Sequence, residues 1–536
     1  MNLQRVTTVG QRKDDCAPML SAFQTEPETD FGDPANVRAF EHALAAVKAQ
    51  LGRTYPMLVD GRDVPGQCEF TSIDPADPDV IVGRFPQAER DVAVNALEAA
   101  DRAFPGWSRV PADQRAGFLF EAAARIRQRR HEFAAWMVYE VGKSWAEADG
   151  EVAECIDLME YYGRQMFALD GSQNDRLGRV PNEATDFFYI PLGAGVIIFP
   201  WNFPLALTFG MATAAIVAGN TVVVKPASNS PVSVYHLARI FVDIGLPPGV
   251  INVVTGPGGV IGDALVDHPR TRFVAFTGSM DVGVRLHARA AQVHQGQIWI
   301  KRTVLELGGK NAVIVDDEAD LDAAAEGVVA SAFGFQGQKC SAGSRAVISE
   351  SIYEPFVVRL LERVARLRVG HPIDREVTVG PVIDERAYRS IKSHIEAGRA
   401  QGELLFMGEA PNGKGYFIPP TVFGNVERTA PLGQEEIFGL VLACIRARDF
   451  EDALSIANGT KYGLTGAVFS KNRTKLARAR RDFHVGNLYL NRKSTGALMG
   501  VHPFGGFNMS GTDSKAGGPD YLLHFLQGKS VGERLR

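Results

Sequence analysis

GVIIFP at residues 195–200, TVVVKP at 221–226, INVVTG at 251–256 and RFVAFTGS at 272–279 decide the fold of this chain. Each is a short apolar run rich in β-branched residues and bounded by Pro, Gly or a polar turn, which reads as a buried strand. Helical stretches lie between them. PVSVYHLARIFVDIG (231–245) carries a start signal at Ser230, Pro231 in its first turn and Gly245 as its stop. Strand–helix–strand repetition predicts a parallel, doubly wound sheet.

Outward from that block the pattern recurs. LELGGKNAVIV (305–315), the helical ADLDAAAEGVVASAFGFQ (319–336), AVISE (346–350) and GLVLACI (439–445) predict a second α/β set. Upstream, FGDPANVRAFEHALAAVKAQLG (31–52) reads as an exposed helix starting at Asp33 and stopping at Gly52. Two long amphipathic helices are predicted over 90–107 and 111–142, with apolar residues spaced by three and four. DRLGRVPNEATDFFYIPLG (175–193) alternates like an exposed hairpin, and the chain beyond residue 486 is rich in Gly and polar residues.

The 536 residues are 45% hydrophobic and 22% charged, which is ordinary globular chemistry at a length that implies more than one domain. A net charge of -5 gives no basic excess for nucleic acid or an anionic membrane, and no apolar run is long enough to span one. The five cysteines, Cys16, Cys68, Cys155, Cys340 and Cys444, are scattered without metal-ligand or disulfide spacing. A reducing compartment, the cytoplasm, is expected, and MNLQRVTTVGQRKDDC lacks the apolar stretch of a secretory signal.

Five motifs carry chemistry. FGFQGQKCSAGSR (333–345) sets Cys340 among small residues, with room for close backbone approach. A buried structural cysteine is the plain alternative, but Gln336, Gln338, Lys339, Ser341 and Ser344 are not core residue types, and Lys339 can favour the thiolate. FPWNFP (199–204) holds Asn202 at a strand end, where its amide can donate to an oxyanion or simply make a turn. VLELGGKN (304–311) holds Glu306 between leucines, which raises its pKa toward that of a general base; a solvent-facing strand glutamate is equally consistent. VVVKPAS (222–228) offers Lys225 and Ser228 at a strand end, and FTGSMDVG (276–283) offers Gly278 and Ser279 at a strand-to-helix turn that can face a pyrophosphate.

Taken in order, FPWNFP, VVVKPAS, FTGS, LELGGKN, GQKC and EEIFG resemble the aldehyde dehydrogenase superfamily across most of the chain. The resemblance implies a Rossmann-type NAD-binding domain (1–168 and 192–303), an α/β catalytic domain (304–487) and a small β oligomerisation element (169–191 and 488–536). It assigns Cys340 as nucleophile, Asn202 with the Cys340 N–H as oxyanion hole, and Glu306 as the base that activates water. Trp201, Lys225, Ser228, Gly278, Ser279, Glu436 and Phe438 become cofactor contacts. Two departures stand out. Leu440 replaces the proline that usually follows EEIFG, and Ser228 replaces a glutamate that many members carry after KPA. NAD remains the expected cofactor, and loss of a carboxylate able to grip the ribose hydroxyls and repel a 2′-phosphate implies some tolerance of NADP.

The stretches TDFGDPANVRAFEHAL (29–44), LGRTYPMLVDG (51–61), QGQIWIKR (295–302) and STGALMGVHPFGGFNMSGTDSKAGGPDYLLHFLQ (494–527) are similar to the 1-pyrroline-5-carboxylate dehydrogenase branch of that family. That likeness implies oxidation of L-glutamate γ-semialdehyde to L-glutamate in proline catabolism. It places Ser341, Gly496 and Ala497 on the substrate α-carboxylate and Phe203 and Phe504 beside its aliphatic chain. It also implies a homodimer or larger homo-oligomer with no metal. Another semialdehyde dehydrogenase, a coenzyme-A-acylating relative and a non-catalytic NAD-binding relative are the alternatives.

Overall fold

The structure, a computed structural model, describes residues 20–66 and 68–535. The leader reading over residues 1–16, Cys16 included, lies outside the described residues.

Two seven-stranded sheets organise the chain. In the first, the strands Ala194–Ile198, Thr221–Lys225, Ile251–Val253, Phe273–Thr277 and Arg302–Glu306 run parallel. Its order is 302–306, 273–277, 194–198, 221–225, 251–253, then the antiparallel pair Met57–Val59 and Arg62–Val64. The chain therefore leaves Ala194–Ile198 in both directions, and this switch point is where doubly wound sheets open a crevice at their carboxyl ends. In the second sheet, Val441–Ala447, Arg345–Ser349, Ala312–Val315 and Thr465–Phe469 are its parallel centre. Each sheet has its own apolar core, and every residue of Thr221–Lys225 and Arg345–Ser349 is buried, as strands covered on both faces require.

Several local expectations are corrected. The first helix, Pro34–Lys48, is capped by the Asp33 carboxylate on the Ala35 N–H, but it is not simply exposed: Val37, Phe40, Leu44 and Val47 enter the main core. The long helix expected over 111–142 is two, Ala112–Gln128 and Arg130–Val141, broken where Arg129 leaves helical geometry (φ -110°, ψ 21°). A further helix, Trp145–Leu169, packs against both and against Ala206–Val217. Ser230 precedes helix Pro231–Asp243 without capping it through its side chain. The buried Glu140 carboxylate instead accepts the Val232 and Ser233 N–H groups. No local pattern reveals a cap supplied from 90 residues away.

The hairpin expected over 175–193 does not form. Glu183–Pro191 pairs antiparallel with the C-terminal strand Leu526–Arg534, so the exposed ribbon is built from distant segments. Two elements straddle the expected domain limits: Arg302–Glu306 crosses 303/304 and hydrogen-bonds in the first sheet, and Asn487–Leu490 crosses 487/488 and closes the second. No helix among the described residues is long and apolar enough to cross a membrane.

Candidate active site

Glu306 ends the edge strand of the first sheet, and Cys340 lies on the loop between helix Leu321–Phe333 and strand Arg345–Ser349 of the second. The site is therefore a crevice between the two sheets. The loop reaches Cys340 through three successive left-handed residues, Phe335 (φ 46°), Gln336 (φ 58°) and Gly337 (φ 68°). Two of them are not glycine, a strain that persists only where the surroundings over-determine it. They do so here. The Gln336 amide donates to the Gly142 and Pro381 carbonyls (2.8 and 2.9 Å), and the Gln338 carboxamide oxygen accepts the Ile383 N–H (3.0 Å). Both glutamines are thus buried structural groups, contrary to their reading as non-core types. Gly337 admits no side chain, because a Cβ would lie 2.4 Å from the Gly439 carbonyl oxygen.

Asn311, which the sequence reading passed over, clamps the Cys340 loop. Its amide nitrogen donates to the Cys340 and Ala342 carbonyls (2.7 and 2.8 Å), while its oxygen accepts the Thr465 N–H (2.9 Å). Asn202 is 2% exposed and donates to the Gln338 carbonyl (2.9 Å). Its amide side chain is thereby fixed beside the loop. Behind it, buried Glu151 accepts the Leu205 and Ala206 N–H groups and pairs with buried Lys143, whose ammonium lies 3.7 Å from the Phe203 ring centroid. Phe203 meets Phe335 edge-on, so this cation joins the Asn202 turn to the loop.

Two carboxylates face the thiol. Burial pushes Glu306 up to about 8 although Ser514 donates to its Oε1; Oε2 has no protein partner among the described residues. Burial raises Glu436 to about 7, and its Oε1 accepts the Gly309 N–H (2.9 Å). Gly308 makes room for it, since a Cβ there would sit 2.0 Å from the carboxylate. Burial, reinforced by the charges of Glu306 and Glu436, pushes the Cys340 thiol up to about 12. Lys339 does not favour the thiolate, because its ammonium pairs with Glu147 at 2.7 Å. The resting thiol is neutral, and a base must take its proton.

The strand ends of the first sheet hold the cofactor candidates. Lys225 is buried, donates to the Pro226 carbonyl (2.8 Å) and is pushed down to about 8 by burial, while Ser228 is exposed. Ser279 precedes helix Met280–Ala290, and the Gly278 N–H donates to the Glu306 carbonyl (3.1 Å), tying that turn to the Glu306 strand. A built-in lysine, an uncapped eleven-residue helix and the switch-point crevice together fit a dinucleotide. Trp201 and Phe438 meet edge-on at 5.7 Å, and Phe438 is left-handed (φ 58°). Leu440 in place of proline continues smoothly: it is buried, and its carbonyl accepts the Thr421 N–H.

On the tail, Gly496 is left-handed (φ 76°) and Ala497 half-buried. Ser494 links that turn to the Cys340 loop, its hydroxyl donating to the Ser341 carbonyl (3.2 Å). Phe504 is half-buried and exchanges backbone hydrogen bonds with Ala516.

A thiol, a raised carboxylate and a buried amide in one crevice beside a nucleotide-type sheet are the parts of covalent aldehyde oxidation. The profile of the aldehyde dehydrogenase family matches residues 64–531. The chain belongs to that family. This aldehyde dehydrogenase is 53% identical over 516 residues to the 1-pyrroline-5-carboxylate dehydrogenase of Geobacillus thermodenitrificans, covering 96% of this chain and 100% of that one. With the enzyme of the same name from Bacillus cytotoxicus it shares 51% identity over 518 residues, again 96% and 100% of the two chains. A crystal structure of 1-pyrroline-5-carboxylate dehydrogenase from Thermus with bound NAD superposes with a TM-score of 0.94 at 47% identity, covering 96% of this chain and 100% of that one.

Proposed function

We propose that this aldehyde dehydrogenase oxidises L-glutamate γ-semialdehyde, the opened form of 1-pyrroline-5-carboxylate, to L-glutamate with NAD. The observation that carries the reading is the convergence of Cys340, Glu306 and Asn202 on one crevice, in a chain more than half identical to enzymes of that name over nearly its whole length.

In this reading the Cys340 thiol gives its proton to solvent water and its sulfur attacks the aldehyde carbon. The resulting oxyanion accepts hydrogen bonds from the Asn202 amide and the Cys340 N–H, which stabilise it without reorganisation. Bound NAD, held by Lys225, Ser228, Trp201, Glu436, Phe438 and the Gly278–Ser279 turn, supplies the acceptor for the hydride. The acyl group then remains on Cys340 as a thioester. Glu306 as carboxylate takes a proton from water, the water oxygen attacks the thioester carbon, and the thiolate leaves with glutamate released. A carboxylate raised to about 8 is well matched to that task near neutral pH. Ser341, Gly496 and Ala497 hold the α-carboxylate, and Phe203 and Phe504 flank the chain between the two ends.

The domain division, with a cofactor domain, a catalytic domain and a β ribbon formed by 183–191 and 526–534, belongs to the same proposal. So do a homo-oligomeric state resting on that ribbon and a cytoplasmic location. One assay decides the activity: absorbance of reduced cofactor on adding 1-pyrroline-5-carboxylate with NAD or NADP. The expected result is rapid reduction of NAD and slower reduction of NADP. Robust oxidation of succinate semialdehyde with none of 1-pyrroline-5-carboxylate would shift the reading to a sibling enzyme.

A further inference from the structure

We propose that Arg492 is the positioning residue that aims the Gly496–Ala497 turn at the substrate α-carboxylate, by turning two successive carbonyls to the opposite side. The inference rests on the functional reading above and names the residue on which its substrate selectivity depends.

One guanidinium nitrogen of Arg492 donates to the Thr495 carbonyl (3.1 Å) and to the Gly496 carbonyl (2.8 Å). A trans peptide is planar, so the N–H of the next residue points opposite to each carbonyl. With both carbonyls facing Arg492, the N–H groups of Gly496 and Ala497 face away from it, side by side. Successive N–H groups that point the same way form a concavity for an anion. Among the described residues, neither N–H has an acceptor within the protein. The left-handed Gly496 (φ 76°) gives the turn a conformation that a side chain would strain.

The guanidinium is itself held from outside the turn. Its carbon lies 4.5 Å from the centroid of the Tyr489 ring, which is 4% exposed, and its other terminal nitrogen lies 3.4 Å from His502 Nε2. The opposite nitrogen of that imidazole accepts the Leu498 N–H (3.3 Å), which leaves the proton on Nε2, so His502 ties the far end of the turn while the Tyr489 ring holds the guanidinium. The near end is fixed separately by Ser494, whose N–H donates to the Ser331 hydroxyl (2.9 Å) and whose hydroxyl donates to the Ser341 carbonyl. Removing Arg492 therefore leaves the turn attached beside the nucleophile loop but releases its two carbonyls. A released peptide can rotate and present a carbonyl dipole to the carboxylate, changing attraction into repulsion. Lysine can reach the carbonyls but lacks the planar fork that holds both donors in a fixed relation.

The test compares wild type, Arg492→Ala and Arg492→Lys on two aldehydes, glutamate semialdehyde and hexanal, which has no α-carboxylate. For Arg492→Ala the KM for the semialdehyde is expected to rise about 10- to 100-fold, the scale of losing two charge-assisted hydrogen bonds. Its kcat on the semialdehyde, its kcat/KM on hexanal and its NAD affinity stay within about twofold, and inhibition by L-glutamate weakens in parallel with KM. Arg492→Lys falls between, and it carries the test if the alanine variant does not fold. An equal loss on both aldehydes, or an unchanged KM and glutamate inhibition, overturns the assignment while leaving the functional reading intact. A wild-type protein that oxidises hexanal but not the semialdehyde overturns both.

Discussion

Around Cys340 the polar side chains are held by partners remote in the chain, whereas Lys225 and Ser279 at the strand-end turns make no side-chain hydrogen bond to a remote residue among the described ones, and only the Gly278 N–H, on the Glu306 carbonyl, ties their backbone across. Glu306 takes its hydrogen bond from Ser514, Gln336 reaches back to Gly142, and Asn202 crosses to Gln338. Lys225, in contrast, donates to the carbonyl of the next residue, and Ser279 simply precedes the helix that begins at Met280. The first region is over-determined and desolvated, so a small change alters its charge states and angles together. The second is a set of local turns with solvent at Ser228 and Ser279, where a substitution changes one contact.

Four substitutions sharpen that contrast, beginning in the crevice. Cys340→Ala should lower turnover by about 10⁴-fold or more, as loss of a covalent nucleophile does. NAD affinity by calorimetry should stay unchanged; retained turnover would refute the nucleophile. Glu306→Gln should slow thioester hydrolysis by ~10²- to 10⁴-fold, the range of a lost general base. The amide still accepts the Ser514 hydroxyl, so folding should persist. In wild type the carboxylate form grows as pH passes about 8, so hydrolysis should rise through that region and level above it. In Glu306→Gln that limb should vanish, with a pre-steady-state burst of NADH in its place. Persistence of the same limb would assign it to another group.

Asn202→Ala should cost about 10²- to 10³-fold in kcat, the usual effect of one oxyanion donor. A change confined to KM would instead mark Asn202 as a binding residue. At the local turns the effect is smaller. Ser228→Glu should leave NAD kinetics within about twofold and raise the KM for NADP about 5- to 10-fold, the effect of one solvent-screened repulsion near a 2′-phosphate. A comparably large loss with NAD would show the turn to be as over-determined as the crevice.

How much of this was legible in the sequence depends on the range of the interaction concerned. Parallel strands announce themselves because a strand covered on both faces must be apolar along its length, as TVVVKP is. Motif order was enough to point to Cys340, Asn202 and Glu306 through resemblance. The break at Arg129 was not legible, and neither were the Glu140 cap and the Glu183–Pro191 partner, which both depend on a group far along the chain. The reading of Lys339 as a thiolate stabiliser failed for the same reason. Adjacency in sequence suggested a charge effect, but its ammonium pairs with Glu147, 192 residues earlier.

The sequence by itself determined the parallel strands Ala194–Ile198, Thr221–Lys225, Ile251–Val253 and Phe273–Thr277 and, through resemblance, pointed to Cys340, Asn202 and Glu306 as candidates, because buried strands and motifs follow from side-chain volume, periodicity and local backbone freedom. Only the tertiary structure decided that Cys340 is a neutral thiol facing two raised carboxylates, that Asn311 clamps its loop, and that Arg492 turns the tail carbonyls aside. Desolvation and hydrogen-bond direction depend on what lies opposite a group in space, and that is fixed when the two sheets meet.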